Sequence, residues 1–392
     1  MYYHIRVKFG EEDIQINNSN LRELTVVQDL NKFAPEFKLV LQDSTGAFTH
    51  VFPFDKGMSK VYIEMAKTQE STDINSFDFS VYRRKPGCDG SNPYGIYDVV
   101  GLLDTQGLFN PTVSKGFSGS IKTNLESISN NDLKISDTEV SSSLDYDKNL
   151  LQPNWSNIQL FKYLKENLLG SNNECSYKCF IKRYKMKSYF VFKSLTEMIE
   201  SPVSYKFVLN DKPYEDRLPI LSYYIFDNYK IYTSLAAKKQ SYSYFNYDTS
   251  TYTEGEEDLQ DYTSLTDYFL IDKDDTENNV IMDKTGRSND FTDDFSGMIK
   301  GSYFNRLTSL VKMWINTEGL PNVVPGQTVE IFFPQNVSGD SLYSFQYSGY
   351  WLVEQVIHNL GSYFYTKLLL TRTGMDTDKQ TTLVQADKRK RF

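Results

Sequence analysis

Alternating apolar and polar positions dominate the first 115 residues of the chain. Residues 37–42, 61–65 and 77–81 each place apolar side chains at every second position. This period of two indicates a β-strand with one buried face. Turn-forming residues at 44–46 and 55–57 separate these segments. The region therefore predicts a series of short strands joined by turns.

The middle of the chain mixes helix and strand patterns. Ser156 and Gln159 have the spacing of a capping box, and apolar residues follow at helical intervals. This pattern predicts a helix at about 157–169, ended by Gly170. A second capping-box match at 194–197 predicts a short helix that Pro202 stops.

Strand patterns return at 311–373, and they share an order of elements with the start of the chain. Each copy would contain a turn, a strand, a long excursion, a Tyr-led strand and a final strand. The matched pairs are 54–57 with 324–327, 61–65 with 329–333, 97–100 with 350–356, and 121–125 with 365–369. The repeat predicts two similar antiparallel β-barrels in one chain.

Composition agrees with a large, mainly β protein. The chain has 392 residues, of which 40% are hydrophobic and 15% aromatic, with 29 Tyr and 26 Phe. Aromatic residues favour pleated, half-buried surfaces, and this length suggests two to four domains. The net charge of −9 disfavours broad nucleic-acid binding. Three cysteines indicate folding in a reducing cytosol rather than a disulfide scaffold.

Two segments stand apart by charge. Residues 254–294 contain fourteen acidic residues and three basic ones. The favoured interpretation is a solvated insertion that projects from the barrels, and the alternative is an acidic docking surface. The tail ends in Lys388, Arg389, Lys390 and Arg391. We expect these four residues to bind an acidic partner, or else to form a tail without a role.

Residues with catalytic or metal-binding chemistry are scattered. His4, His50 and His358 are isolated, and Cys175 with Cys179 lacks a second ligand pair nearby. The acidic residues at 272–283 lack the Gly and the final Glu of a calcium loop. No nucleophile elbow or phosphate-binding loop occurs. The sequence thus predicts a non-enzymatic protein without metal or cofactor.

With these patterns in view, the chain resembles the central baseplate hub protein of contractile-tailed, T-even-type phages. The resemblance covers about residues 25–372. It rests on a Pro-Gly turn and strand, a strand that ends Val-Ile-His, a final Leu-rich strand and an early strand with its turn. These segments are 324–332, 349–360, 365–370 and 39–44. The helix before the Pro-Gly turn, around 303–310, is shorter than in the family.

The resemblance implies a structural hub that forms a homotrimeric ring with pseudo-sixfold symmetry. Such a ring joins the hexameric tail tube, or a tube initiator, to the trimeric central spike and continues the tail channel. Tape measure and baseplate wedge proteins are further expected partners. DNA would only pass through the lumen, and no membrane is involved. The protein would be made in the host cytoplasm and reside in the virion baseplate.

The expected fold class is mainly β with a few short helices (α+β), in four parts. Residues 1–115 would form the first barrel, completed by about 218–240. Residues 116–217 and 300–372 would form the second barrel with its helices. An acidic insertion at 241–299 and a C-terminal tail at 373–392 complete the chain.

Two other classes of protein remain open at this stage. A receptor- or carbohydrate-binding tail protein would use the many Tyr and Trp side chains for contact. A cell-wall-degrading tail enzyme would need paired carboxylates or a zinc site.

Overall fold

The structure, a computed structural model, describes residues 2–227, 239–246, 250–258, 283–286 and 301–372. Within these ranges it leaves out residues 18, 44–45, 47, 49–50, 53–58, 69, 90–91, 106, 108–111, 172–173, 210–216, 302–304, 306–310, 338–339, 344–346 and 362. Strands make up most of the described residues, and the helices described there are few and short. The prediction of a mainly β chain with a few short helices is confirmed.

The elements are as follows, in chain order. The strands are β1 (Tyr2–Phe9), β2 (Glu12–Gln15), β3 (Leu21–Asp29), β4 (Glu36–Gln42), β5 (Lys60–Ala66), β6 (Ile74–Asp89), β7 (Asn92–Leu103), β8 (Val113–Phe117), β9 (Asp137–Val140), β10 (Leu150–Trp155), β11 (Tyr177–Tyr184), β12 (Lys187–Ser194), β13 (Val203–Val208), β14 (Leu218–Asp227), β15 (Lys239–Asn246), β16 (Thr251–Asp258), β17 (Asp283–Gly286), β18 (Val311–Glu318), β19 (Thr328–Phe332), β20 (Pro334–Val337), β21 (Asp340–Tyr343), β22 (Gly349–Leu360) and β23 (Tyr365–Arg372). The helices are α1 (Ile121–Ile128), α2 (Asn157–Asn167) and α3 (Leu195–Ile199), with short π and 3-10 turns at Ser129–Leu133 and Ser142–Leu144.

Thirteen strands form one large sheet, part of which closes on itself. The order is β19-β13-β14-β18-β23-β22-β3-β4-β7-β6-β5-β1-β2, and β19 also pairs with β22. The six strands β13, β14, β18, β19, β22 and β23 therefore form a closed barrel. Its interior is lined at every second position, as by Met313 and Ile315, both fully buried. The other seven strands continue the sheet outward from β22.

Strand β22 belongs to both parts of the sheet. Its first half pairs with β19, where Leu352 faces Thr328. Its second half pairs with β3, where Gln355 faces Asp29. A bulge at Glu354 separates the two halves, because the register with β23 shifts between Val353 and Gln355. One strand thus joins the closed barrel to the N-terminal strands.

The two parts of the sheet repeat the same plan. Strands β3-β4-β7-β6-β5 and β14-β18-β23-β22-β19 have the same order along the chain and in the sheet, and all neighbours within each set are antiparallel. We call the first set the N-terminal unit and the second set the C-terminal unit. The predicted duplication is therefore present in the strand order.

The repeat extends to register. Ser80 faces Lys60 across β6 and β5, as Leu352 faces Thr328 across β22 and β19. One residue further on, the amide of Val81 donates to the Ser59 carbonyl at 2.9 Å. Its counterpart is the 2.9 Å bond from the Val353 amide to the Gln327 carbonyl. Corresponding residues in β6 and β22 are thereby identified.

Bulges occur at corresponding positions as well. In β6 the register with β7 shifts between Val81 and Arg83, so that Tyr82 corresponds to Glu354 of β22. In β3 the shift lies between Leu21 and Glu23, and in β14 between Ile220 and Ser222. A second shift in β6, between Gly87 and Asp89, has no counterpart in β22. The two shared bulges support the correspondence of the units.

The structure corrects two of the four matched pairs, and the pair 54–57 with 324–327 lies partly outside the described residues. The pairing of 61–65 with 329–333 is right, since both lie at corresponding places in β5 and β19. The pairing of 97–100 with 350–356 is wrong, because β6 rather than β7 corresponds to β22. Residues 121–125 form α1 instead of a strand: Ser120 caps it, and Ile121, Leu125 and Ile128 bury one helical face.

One predicted strand assignment also changes. Residues 218–240 were expected to complete the first barrel, yet β14 pairs with β18 in the closed barrel. The reason lies in its side chains, because Ile220 and Ile225 pack into the core of that barrel. In the described part of the chain, no pairing joins β2 to β3, and closure is seen for the C-terminal unit.

A small α/β region lies between the two units in the chain. It contains the sheet β11-β12-β9 and the three helices. Ser156 and Gln159 form the predicted capping box of α2, and Ser194 caps α3 through the Glu197 amide, so both helices are confirmed. Gly170 has a different role from the one predicted. Helix α2 ends at Asn167, and a side chain at Gly170 would collide with the Tyr177 hydroxyl.

Part of the acidic segment is described. Strand β16 pairs with β15, which also pairs with β17. Residues 259–282 and 287–300 lie outside the described residues, as do most of the helix expected at 303–310 and the tail at 373–392.

Candidate assembly interface

The contact between β22 and β3 is held by polar side chains. Gln355 donates to the Asp29 carboxylate at 2.6 Å, and Asn31 donates to Glu354 at 3.0 Å. Lys312, from β18, donates to the same Glu354 carboxylate at 2.8 Å. The Glu354 side chain is only 12% exposed. A partly buried carboxylate with two donors fixes the position of the joint better than an exposed pair would.

The small α/β region reaches this joint through Lys178. Its ammonium donates to the Asn31 side-chain oxygen at 3.0 Å. Burial is the main reason why the pKa of Lys178 falls to about 8. The charge on Lys178 is therefore sensitive to mildly alkaline pH.

A second polar cluster ties three segments together at the turn between β11 and β12. Asn75 of β6 donates to the Arg183 and Pro321 carbonyls at 3.0 and 2.9 Å. Asn322 accepts from the Lys185 amide at 2.8 Å and donates to the Asp73 carboxylate. Both asparagines are buried. The cluster holds the N-terminal unit, the α/β region and the loop before β19 in one arrangement.

The same turn is held from β3. Gln28, which is 1% exposed, accepts from the Arg183 amide at 2.8 Å. The Arg183 guanidinium donates to the Ser76 carbonyl at 2.6 Å. Lys185 and Met186 have positive φ angles of 48° and 62°. Two successive positive φ values form the tight hairpin turn that presents these backbone groups.

His358 lies in the core next to the joint. It is 0% exposed, and its Nδ1 lies 3.3 Å from the Thr366 hydroxyl. Its Nε2 has no hydrogen-bond partner among the described residues. Burial lowers the pKa of His358 to about 3, so the ring is neutral at ordinary pH. This group supports the fold and offers no accessible proton donor or acceptor.

Two strands of the large sheet continue beyond the end of a neighbouring strand. One is β6 beyond Val81, where β5 has ended. The other is β14 beyond Pro219, where its contact with β13 ends. Large side chains are exposed along both edges: Tyr82 is 54% exposed, and Leu221, Tyr223 and Tyr224 are 62%, 47% and 62% exposed. Exposed strand edges with aromatic side chains are typical of surfaces that meet another chain.

An open groove follows β14 on the outer face of the closed barrel. It is lined by Ser222, Tyr223, Tyr224, Phe226, Trp314, Asn316 and Lys367. The Lys367 ammonium lies 4.4 Å from the centre of the Trp314 ring. Because the lysine occupies that ring face, Trp314 does not present it for stacking with a ligand.

The site residues expected from the sequence have mixed outcomes. Lys388, Arg389, Lys390 and Arg391 lie outside the described residues, as do His50 and the acidic residues at 272–282. Cys175 and Cys179 are buried and are not joined to each other by a disulfide. In the described ranges no group of His, Cys, Asp or Glu could hold a metal ion. None of the helices described there is long and apolar enough to cross a membrane.

Comparison with known proteins bears on the whole arrangement. In sequence, the chain matches no protein-family model and no curated protein. In structure, it is similar to the 43 kDa tail protein of prophage MuSo2 from Shewanella oneidensis, with a TM-score of 0.59 at 9% identity over 96% of this chain and 100% of that chain. The tail protein from Neisseria meningitidis MC58 gives a TM-score of 0.56 at 10% identity over 95% and 97%. The fold is that of phage tail proteins.

The tail-protein fold confirms the resemblance seen in the sequence at the level of architecture. The similarity extends over nearly the whole length of both solved structures. The exposed edge residues Tyr82 and Tyr224 were not predicted from the sequence. Each is an aromatic residue on a strand that continues beyond its neighbouring strand, and the sequence does not show where the neighbouring strand ends.

Proposed function

We propose that the protein is a non-enzymatic hub of a phage tail baseplate and forms a homotrimeric ring. The observation that carries this proposal is the internal repeat. Three chains with two corresponding units each would present six similar units around one axis. Such a ring can meet a hexameric tube on one face and a trimeric spike on the other. The tail-protein fold supports a place in the virion.

The size of the sheet suits a ring with an open centre. Each chain supplies eight successive strands from β14 to β6. Three chains would then supply a continuous wall about 37 Å across at the backbone, taking about 4.8 Å per strand, and strand tilt widens it further. A lumen of this width would continue the tail channel, through which DNA passes.

Further partners follow from the same proposal. The tube protein or a tube initiator, the central spike, the tape measure protein and the wedge proteins would all contact the ring. The basic residues Lys388–Arg391 would add a salt-sensitive contact with an acidic partner surface. We propose that the acidic segment 254–294 projects from the ring, so that deleting it leaves assembly intact.

A receptor- or carbohydrate-binding role is the second candidate, and the groove beside Tyr224 is the observation that favours it. Against it, Lys367 already covers the Trp314 ring that a sugar would need.

The deciding experiment is the mass of the purified protein in solution, followed by electron microscopy of the particles. We expect a trimer with six similar lobes that binds the tube and spike proteins of its own tail. A stable monomer would contradict the ring. A monomer that degrades peptidoglycan would replace the proposal with an enzyme.

A further inference from the structure

The groove on the outer face of the closed barrel lies between the two strands that flank the acidic segment in the sequence. The chain leaves β14 at Asp227 and enters β18 at Val311, and these two residues face each other across the strands. We propose that residues 268–272 of the acidic segment bind in this groove of the same chain. The contact lies outside the core, so the rest of the segment can still project. This inference goes beyond the hub role and does not depend on the ring.

The groove is not a consequence of the repeated fold. The matching bulges of β3 and β14 make Thr25 the counterpart of Tyr224, and the residues that face them make Lys38 the counterpart of Trp314. In the N-terminal unit, Lys38 donates to Glu23 at 3.1 Å, so an exposed ion pair occupies this place. Both units form the same sheet, and therefore the fold does not require aromatic rings here.

The apolar part of the groove is formed by aromatic side chains. The rings of Tyr224 and Phe226 pack edge to face with centres 4.5 Å apart, and Tyr224 is 62% exposed. The groove has a volume of about 320 Å³, which is small for a ligand pocket. This size suits a short peptide segment, and burial of the Tyr224 ring by such a segment is favourable.

The polar part of the groove contains two groups that lack a partner among the described residues. The Asn316 side chain donates to the Ser222 hydroxyl at 2.6 Å, but its Oδ1 is shielded from solvent and accepts no hydrogen bond there. The Lys367 ammonium lies over the Trp314 ring and has no ion-pair partner in the described part of the chain. A shielded acceptor calls for a donor, and a cation calls for an anion. A peptide segment offers both, through a backbone amide and a carboxylate.

Residues 268–272 have the composition that fits this groove. Residues 268–271 read Tyr-Phe-Leu-Ile, which is the longest apolar run in the parts of the acidic segment outside the described residues, and Asp267 and Asp272 flank it. The apolar side chains would cover the Tyr224 ring, and Asp272 would pair with Lys367. The segment thus supplies apolar surface and negative charge where the groove has apolar surface and positive charge.

The points of attachment assign the occupant to the same chain. Residues 228–267 and 273–310 link this stretch to β14 and β18, the strands that line the groove. Attachment at both ends keeps the stretch near the groove at a high effective concentration. A segment of a free partner would need a correspondingly higher affinity to displace it.

Amine labelling of Lys367, measured by peptide mass spectrometry, tests whether the groove is occupied. The variant carries Tyr268→Gly, Phe269→Ser, Leu270→Gly and Ile271→Ser. We expect Lys367 to react about fivefold faster in the variant, because a contact that is mostly formed leaves only a minor fraction of the lysine reactive. Lys38, in the corresponding part of the N-terminal unit, is the control and should react equally in both proteins.

A synthetic peptide of residues 264–275, added to the variant, should restore the protection. Asp272→Asn should raise the labelling of Lys367 by a smaller factor. Equal labelling of Lys367 in the wild type and the variant would overturn the proposal. Protection that appears only after addition of tube or spike proteins would assign the groove to a partner and would also overturn it.

Disulfide formation identifies which chain supplies the segment. A chain with Tyr224→Cys and Phe269→Cys, and with Cys88→Ser to remove a further thiol, should form an intrachain disulfide under mild oxidation. Lys38→Cys with Phe269→Cys is the matched control, and we expect much less of its disulfide. Covalent dimers in place of the intrachain product would assign the segment to a neighbouring copy and overturn the intrachain contact. Equal crosslinking of the two pairs would show that the segment has no preferred site and would overturn it as well.

Discussion

His358 makes the stability of the protein depend on pH by an amount that follows from its surroundings. The side chain is fully buried, and burial lowers its pKa from 6.5 to about 3. The unfolded chain therefore binds a proton at a higher pH than the folded chain does. The contribution of His358 to the free energy of unfolding is fully present above the pKa that the residue has in the unfolded chain. It is lost as the pH falls toward the pKa that the residue has in the folded protein.

The size of the effect follows from linkage. A pKa shift of this size lowers the free energy of unfolding by at most about 5 kcal/mol at strongly acid pH. Between about pH 7 and about pH 5 the expected loss is about 2 kcal/mol, since only the unfolded state titrates there. The loss arises because the unfolded chain gains a proton that the buried imidazole does not take up, since a charge on the ring would be desolvated.

Chemical denaturation at a fixed protein concentration measures the prediction. We expect His358→Gln, which cannot titrate, to be less stable near neutral pH because its shape differs, but to lose about 2 kcal/mol less than the wild type on acidification. His4→Gln is the matched control, because His4 lies on the surface beside Gln15. Parallel pH curves for the wild type and His358→Gln would refute the reasoning.

Three further predictions concern the polar cluster at the β11–β12 turn, the packing around Gly170 and the C-terminal tail. Asn322→Ala should lower the free energy of unfolding by about 2–4 kcal/mol, because the Lys185 amide loses its acceptor in a part-buried site. Gly170→Ala should cost about 1–3 kcal/mol through its collision with the Tyr177 hydroxyl, and thermal unfolding would show this as a lower Tm. Truncation after Gly374 should weaken binding to the spike or tube, more at low salt, without changing the Tm of the ring.

Each of these predictions has a control. Asn131→Ala removes an exposed asparagine and should leave stability nearly unchanged. Gly116→Ala meets open space and should be tolerated, so equal losses of stability at Gly116 and Gly170 would contradict the collision. Replacing Lys388–Arg391 with alanine should reproduce the truncation. Baseplates that assemble normally with the truncated chain would show that the tail has no role.

The sequence by itself determined the elements with strong local patterns. The alternation in β18 and β19 predicts strands because side chains on one face of a strand must share one environment. The capping boxes at Ser156 and Ser194 predict helix starts because the donor and acceptor lie three residues apart. The resemblance to a tail protein likewise follows from the Pro-Gly turn and the last two strands.

Only the tertiary structure decided which strands correspond in the two units. Residues 121–125 fit a strand pattern in isolation, but Ile121, Leu125 and Ile128 bury a helical face once the core surrounds them. Strand β22 pairs with β19, β23 and β3 at once, and its bulge at Glu354 directs it from one partner to the next. Partners so far apart in the chain depend on closure of the whole sheet.

Single residues also show which features the sequence predicts and which depend on the tertiary structure. Asn322 and Asp73 are ordinary loop residues in the sequence. They meet in the structure beside the β11–β12 turn, where the Lys185 amide also donates to Asn322. The exposed edges of β6 and β14 have no signature in the sequence, because an edge exists only where the neighbouring strand ends. The alternation within one strand shows which face is buried, but it does not identify the strand with which it pairs.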